Sequence, residues 1–401
     1  MTTKPTLLPD TRKRDPDDPR PLRPYPEFVQ RFTSDGSDIE VWDPNDPANA
    51  AAAELKSEVR MKRSGINVLV TGGAGFIGSN FVRYALQTHA DWHVTTLDKL
   101  TYAGRKENLH DVMDDPRHTF VHGDICDAAV AGPLVERAHY VVHFAAETHV
   151  DRSIMAAGDF IKTDVEGSFV LLEAARRNPD LKRFIQISTD EVYGSVPVGS
   201  SVETDELKPR NPYAASKAGA DRLAYSYWAT HEVPVIVTRA SNNYGPYQFP
   251  EKILPLFVTN LMDNIPVPLY GDGGNIRDWL HVLDHCRGID VVMHEGTNGD
   301  VYNIGGGNEV KNIDLTHKVL ALSGKGPELI KPVADRKGHD RRYSLSSAKL
   351  EAMGWKPQVA FEQGLAETVA WYQQNEWWWR PIKERDPGYK AYIEAQYGKR
   401  G

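Results

Sequence analysis

The chain has 401 residues, 40% of them hydrophobic and 25% charged, with a formal net charge of −8. That length suits one large or two modest domains, and the negative balance argues against a nucleic-acid-binding face. No apolar run approaches the ~18 residues of a membrane span, and Met1-Thr-Thr-Lys-Pro5 lacks the apolar stretch of a signal peptide. Cys126 and Cys286 are too few for a disulfide framework, so a reducing, cytoplasmic setting is expected, with no membrane or nucleic-acid partner.

Residues 1–65 hold nine of the chain's 26 prolines, mixed with Asp and Arg. Proline at that density blocks helix and central strand, and few apolar groups remain to offset ordering entropy. Only Ala48 to Val59 reads as a short helix. A disordered leader is the expectation here, with a docking arm, or a natural start at Met61, as the alternatives.

The character changes at Asn67. Asn67-Val-Leu-Val-Thr71 reads as a strand, and Gly72-Gly-Ala-Gly75-Phe76-Ile77-Gly78 leads into a helix through Asn80 to Gln87. Glycines at this spacing, between a strand and a helix, mark a dinucleotide site. The first glycine allows the turn, the second lets a pyrophosphate approach the backbone, and the third lets helix and strand pack closely. The free amides at the helix start then face the phosphates. The strand His93 to Asp98 ends in an acid 20 residues beyond Gly78. A carboxylate there suits the ribose hydroxyls and repels a 2′-phosphate, so NAD is expected rather than NADP.

Strands and helices keep alternating. Thr119 to His122 leads to a turn at Asp124-Ile125, expected to meet adenine. Tyr140 to Phe144 leads to Ala145-Ala146-Glu-Thr148-His149, small residues beside the cofactor track, with His149 read as structural. Ala157 to Asn178 reads as one long helix with Phe160, Val165, Phe169 and Leu172 on one side. Phe184 to Ser188 and Val235 to Arg239 are further buried strands. The pattern predicts an α/β fold: a doubly wound parallel sheet of Rossmann type over 66–245, and a smaller C-terminal substrate-binding domain over 246–401 with some segments returning to the first.

Thr189, Asp190 and Glu191 follow the Phe184 strand at its carboxyl end, where open α/β sheets bind ligands. Asn211-Pro212 reads as an N-cap and first-turn proline. The helix it opens carries Tyr213 and Lys217 on one face. A phenol titrates near pH ~10, and a neighbouring ammonium favours the phenolate, so this pair suits general-base work. After Pro246 the chain reads as loop-rich. Arg277, Arg341 and Arg342 are candidate diphosphate ligands, with surface ion pairing the alternative. Trp377-Trp378-Trp379 reads as packing or an interface.

Taken together, the glycine motif and Tyr213-Ala-Ala-Ser-Lys217 resemble the extended short-chain dehydrogenase/reductases. Ser188 to Gly194, Asn242 to Lys252, Arg277-Asp-Trp-Leu280 and Asp335 to Tyr343 resemble the dTDP-glucose 4,6-dehydratase family within them. The resemblance runs from about Asn67 to the C-terminus. It departs at Thr148, where the family usually has Ser, and in a Gly194–Tyr213 segment shorter than in many members. It implies a homodimer that binds NAD and dTDP-glucose, with Thr189, Asp190, Glu191, Tyr213 and Lys217 catalytic. It also implies Tyr213 as C4 base, Glu191 as C5 base and Asp190 as the acid for the departing C6 hydroxyl. Around the cofactor it implies Gly72, Gly75, Phe76, Ile77, Gly78, Asp98, Lys99, Leu100, Thr101, Asp124, Ile125, Ala145, Ala146, Thr148, Thr163 and Asn243, joined by Tyr213 and Lys217. For the nucleotide sugar it implies Thr148, Thr189, Asn242, Lys252, Ile253, Pro268, Tyr270, Arg277, Asn312, Asp335 and His339, with no metal. A 4-epimerase would share the Tyr/Lys pair without needing Asp190 and Glu191, and a non-catalytic NAD sensor could dispense with all five.

Overall fold

A computed structural model describes residues 65–335 and 339–398. The expected leader lies outside the described residues. At the centre are seven parallel strands: β1 (Ile66–Thr71), β2 (Trp92–Asp98), β3 (His118–His122), β4 (Tyr140–His143), β5 (Arg183–Thr189), β6 (Val235–Ala240) and β10 (Val301–Ile304). Their spatial order is β10-β6-β5-β4-β1-β2-β3. Order reverses between β1 and β4, which opens a crevice at the carboxyl ends where the connections that follow those two strands run to opposite faces. Most strand positions are buried, as expected for a parallel sheet covered on both faces.

Helices cover the two faces. On one lie α1 (Phe76–Thr88) and α8 (Val282–Glu295), whose Phe81, Val82, Ile289 and Val292 pack with Val68, Val70 and Ile185. On the other lie α2 (Ala128–Val135), α5 (Gly167–Ala175) and α6 (Pro212–His231), packed over Leu69, Val141, Phe184 and Val235. Between α2 and α5 come α3 (Val150–Met155), α4 (Ala157–Phe160) and a π-helical stretch, Ile161–Glu166.

That π stretch corrects the single helix expected over Ala157 to Asn178. A π turn holds an extra residue and rotates the helix downstream of it. Phe160 and Leu172 stay buried, while Phe169 is turned out to 46% exposure. The helix also stops at Ala175.

The region after Pro246 is more regular than its sequence suggests. It contains β7 (Asn242–Tyr244), α7 (Ile253–Met262), β8 (Val267–Tyr270), β9 (Ile276–His281), β11 (Glu309–Lys311), α9 (Asn312–Leu322) and β12 (Ile330–Val333). These strands form a three-stranded sheet, β11-β9-β7, and a pair, β12-β8. Short strands in small sheets tolerate Pro268 and Pro332, which made the segment read as loop. A second apolar core gathers Phe257, Val319, Leu365, Trp378 and Trp379. The helices α11 (Phe361–Gln374), α12 (Glu376–Arg385) and α13 (Pro387–Ile393) complete the chain after the short α10 (Ala348–Glu351). The tryptophan run divides: Trp378 Nε1 donates to Asn108 Oδ1 at 2.7 Å, Trp379 is buried, and Trp377 is exposed. Meanwhile α8 and β10 return to the large sheet.

Candidate active site

The carboxyl ends of β1, β2, β4 and β5 surround a cavity of about 430 Å³ that continues beneath β7, α7, β8 and β9. At its floor, β5 ends in Thr189, and the backbone turns at once into a 3₁₀ segment, Asp190–Tyr193, capped by the Thr189 hydroxyl. The strand thereby delivers three functional side chains in three consecutive residues. Helix α6 supplies the other wall. Asn211 caps it through Ala214 N at 2.8 Å, Pro212 fills its first turn, and Tyr213 and Lys217 project into the cavity.

The two adjacent carboxyls differ sharply in surroundings. Asp190 is buried, and desolvation, followed by the charge of Glu191, pushes its pKa well above the usual carboxylate range. Its Oδ1 accepts from Thr189 Oγ1 at 3.1 Å, while Oδ2 is buried without a hydrogen-bond partner. Those are the surroundings of a protonated acid with a proton to give. Glu191 is half-buried and accepts from Asn211 Nδ2 at 3.3 Å, with the Tyr343 hydroxyl 3.4 Å away. A partly exposed carboxyl group that accepts from Asn211 is placed differently from its buried neighbour, as the base of an acid/base pair requires.

Tyr213 departs from the simple expectation. Burial, then Glu191 and Asp164, push its phenol well above the usual value, with the Thr189 hydroxyl acting in the opposite direction. Lys217 donates to Ile187 O at 2.6 Å, and burial lowers its pKa while the Asp164 carboxylate opposes that drop. Within the chain alone, then, Lys217 does not offset the burial of Tyr213.

The cofactor end tests well against the groups present. Gly72 has φ +69°, and a Cβ there would lie 2.5 Å from Ala145 N. At Gly78 a Cβ would come within 2.3 Å of Gly72 O, so α1 abuts the turn directly. A Cβ on Gly75 would have only Gly72 O near it, at 3.2 Å, and the residue lines the cavity. The first turn of α1 carries no acidic residue and its cap makes no side-chain bond, leaving its amides for an anion. Asp98 is held at the end of β2 by Ala74 N at 2.9 Å and Leu100 N at 2.8 Å. These features fit the pyrophosphate and ribose of NAD.

Residues 69–368 match the family model described as GDP-mannose 4,6 dehydratase. The chain is 54% identical over 329 residues to a dTDP-glucose 4,6-dehydratase of Streptomyces antibioticus, a match spanning 80% of this chain and 97% of that one. This chain belongs to the dTDP-glucose 4,6-dehydratase family. A crystal structure of the family member DesIV from Streptomyces venezuelae, with NAD bound, matches at 52% identity and a TM-score of 0.78. That match covers 79% of this chain and all (100%) of the other. A UDP-glucose 4-epimerase of Thermotoga maritima, with UDP-glucose, also matches, at 31% identity and a TM-score of 0.72 over 77% of this chain and 99% of that one. The fold is common to both activities, whereas sequence identity favours the 4,6-dehydratase family.

Of the cofactor residues which that family implies, Gly72, Gly75, Phe76, Ile77, Gly78, Asp98, Lys99, Thr101, Asp124, Ile125, Ala145, Ala146, Thr148, Thr163 and Asn243 line the cavity. Leu100 does not. It takes φ +55° so that its amide can reach Asp98, and its side chain packs with the core beneath the sheet. Lys99 and Asp124 form a 2.6 Å ion pair at the rim.

On the substrate side, Asn242, Lys252, Ile253, Pro268, Tyr270, Arg277, Asn312 and His339 line the same cavity. The side-chain oxygens of Asn242 and Asn312 are buried without hydrogen-bond partners, as befits ligand contacts. Lys252 Nζ donates to Thr148 Oγ1 at 3.3 Å, so the hydroxyl that replaces the family's serine keeps a role. Asp335 is absent from the wall; its Oδ1 lies 2.6 Å from Nδ1 of His339, which does line it. Arg341 and Arg342 are paired with Asp272 and Glu309 and do not line the cavity, whereas Arg277 does.

Several residues at or behind the cavity wall escaped the sequence reading. Tyr343 donates to Asp340 Oδ2 at 2.7 Å and lies near Glu191; it ends a run already noted, so the signal was present. Asp164 lies in the π stretch, accepting from Ser216 Oγ at 2.5 Å and Glu147 N at 2.8 Å. Tyr397 reaches the wall from the C-terminal π turn, with its hydroxyl 3.5 Å from that of Tyr270.

Proposed function

We propose that this chain is an NAD-dependent hydro-lyase that converts dTDP-glucose to dTDP-4-keto-6-deoxyglucose. The observation that carries this reading is the split pair Asp190 and Glu191, one buried with its pKa pushed up by desolvation, the other half-buried and accepting from Asn211, directly beside Tyr213. The carboxyl ends of β1 and β2 would hold NAD through Gly75, the α1 amides and Asp98. When bound, NAD supplies the acceptor for the C4 hydride, the donor that returns it at C6, and a positive charge within the cavity. In this reading 66–245 would hold the cofactor and 246–401 mainly the nucleotide sugar, with segments of the latter returning to the large sheet, and the enzyme would work in the cytoplasm.

The remaining chemistry belongs to the chain. Tyr213 takes the C4 hydroxyl proton, and Thr189 holds the C4 oxygen. Lys217 holds the cofactor ribose and keeps positive charge near the phenol. Once C4 is a ketone, the C5 hydrogen is acidic and Glu191 removes it. Asp190 gives its proton to the departing C6 hydroxyl, water leaves, and Glu191 returns a proton to C5 when C6 is reduced. Splitting acid from base by burial is what lets two neighbouring carboxyls take opposite parts. A 4-epimerase needs only the first of these steps.

Pure protein incubated with dTDP-glucose or UDP-glucose tests the reading. A 4-keto-6-deoxy product from dTDP-glucose, with no net reduced nicotinamide and no second substrate, is expected. Stoichiometric reduced nicotinamide, or a 4-epimer alone, would overturn it.

The reading extends to a two-fold dimer. On α6, Leu223, Tyr227 and Trp228 pack against the large sheet's own core. Ile154, Met155, Ile161 and Phe169 are the exposed apolar residues along α3 to α5. A patch of that kind suits an isologous contact. Sedimentation should show a dimer that Phe169→Glu converts to monomer; a wild-type monomer at micromolar concentration would refute it.

A further inference from the structure

The C-terminal end of α1 and the outer part of α8 meet at a group of side chains unconnected with the cavity. His89 caps α1, and Asp290 and His294 lie one turn apart on α8. Their ligand-type atoms all fall within 4.8 Å of one another. Trp92, stacked on the His89 ring at 3.7 Å, begins β2 and pairs with Ile66 at the start of β1. The group therefore sits at the amino ends of strands whose carboxyl ends lead into the cofactor turn and Asp98, and none of the three lines the cavity.

We propose that His89, Asp290 and His294 form a zinc site that ties α1 to α8. Asp290 Oδ1 is the hub, 2.9 Å from His89 Nε2 and 3.3 Å from His294 Nδ1. Two zinc bonds of ~2.0–2.1 Å at a tetrahedral angle put their donors ~3.3 Å apart, so little movement is needed to close on an ion. Two imidazoles and one carboxylate form a donor set that suits zinc and is poorly matched to magnesium or calcium. A fourth position remains for water.

The outer contacts also suit coordination. Tyr84 Oη donates to Asp290 Oδ2 at 2.9 Å, which fixes the carboxylate and leaves Oδ1 for the ion. The stacked indole fixes the His89 ring. His294 Nδ1 also lies 2.9 Å from the Asp290 carbonyl oxygen, so binding exchanges one contact within a helical turn for a metal bond, with the ring proton carried on Nε2. The side chain of His294 is 38% exposed, against 19% for His89 and 15% for Asp290, which gives the ion a way in. Because the site joins two helices on one face of the sheet, occupancy stabilises the native chain by mass action and leaves the chemistry untouched.

The test uses the full chain after chelator treatment. Calorimetric titration with zinc chloride should show one high-affinity zinc per chain and a raised thermal midpoint, while magnesium chloride does neither. His294→Ala should abolish the high-affinity phase and the thermal shift, leaving dTDP-glucose turnover at the wild-type value. Tyr84→Phe, which removes no ligand, should weaken zinc by about 10-fold. Cobalt in place of zinc should give the intense visible absorption of a four-coordinate ion, lost in His294→Ala. No zinc binding at micromolar concentration, or an affinity that His294→Ala and Asp290→Asn leave unchanged, would overturn the proposal.

Discussion

Asn211 Nδ2 donates to Glu191 Oε2 at 3.3 Å, while Oδ1 of the same side chain accepts from Ala214 N at 2.8 Å. One residue thus starts the helix that carries Tyr213 and aims the carboxylate proposed to act at C5. The two roles are separable. Asn211→Ala should cost about 1 kcal/mol in denaturant unfolding, the usual loss for an N-cap, and should lower turnover. Asn211→Ser keeps a good cap that is too short to reach Glu191. It should restore stability and leave turnover at the alanine variant's level. Wild-type turnover in Asn211→Ser would show that the Glu191 contact is idle.

Two glycines of the cofactor turn should fail in different ways. At Gly78 a methyl would sit 2.3 Å from Gly72 O and 2.8 Å from Gly73 Cα, both backbone atoms that cannot move aside cheaply. Gly78→Ala should lower the thermal midpoint by several degrees. Gly75 has φ −79°, which alanine adopts freely, and a single neighbour at 3.2 Å. Gly75→Ala should melt near wild type and bind NAD at least about tenfold more weakly, since one obstructed phosphate contact is worth more than ~1.4 kcal/mol. Unchanged NAD affinity in Gly75→Ala would place the pyrophosphate elsewhere.

Asp164 predicts a pH dependence of stability. Burial raises its pKa to about 6, against the opposing pull of Lys217, the Ser216 hydroxyl and the Glu147 amide. The folded chain then binds more protons than the unfolded chain from the ordinary carboxylate range up to about pH 6. Its contribution is fully present below that range and is lost as pH rises through about 6. Asp164→Asn should therefore flatten this part of the curve, so that wild type loses stability relative to the variant between about pH 4 and 6 and runs parallel above it. Denaturant midpoints across that range measure it. Parallel curves throughout would mean that Asp164 titrates normally.

How much of this was legible in the sequence depended on how local the determinant was. The strand ending at Thr189 and the helix opening at Asn211-Pro212 were readable, because β-branched runs, caps and first-turn prolines act over a few residues. The glycine turn was readable for the same reason. The π stretch at Ile161–Glu166 was not, since one extra residue in a turn leaves no compositional mark, and Phe169 was consequently assigned to the wrong side. Leu100 and Asp335 were named from the family pattern, and the fold gives each an indirect place, one in a turn and one behind His339. Tyr397 reaches Tyr270 across 127 residues of chain, a contact that only the tertiary fold creates. The fate of Arg341 and Arg342 was equally non-local, decided by acids at Asp272 and Glu309.

The central claim is that Glu191 is the C5 base and Tyr213 the C4 base, and solvent deuterium at C5 tests it most directly. Glu191→Gln keeps the size of the side chain and an acceptor for Asn211. Oxidation at C4 should remain open, so reduced-nicotinamide absorbance builds up, yet recovered dTDP-glucose should carry no C5 deuterium. Tyr213→Phe should show neither. Each variant should lose about 10²- to 10⁴-fold in overall turnover, the usual worth of a positioned acid or base. Near-normal C5 exchange in Glu191→Gln would contradict the account and move the base to another residue.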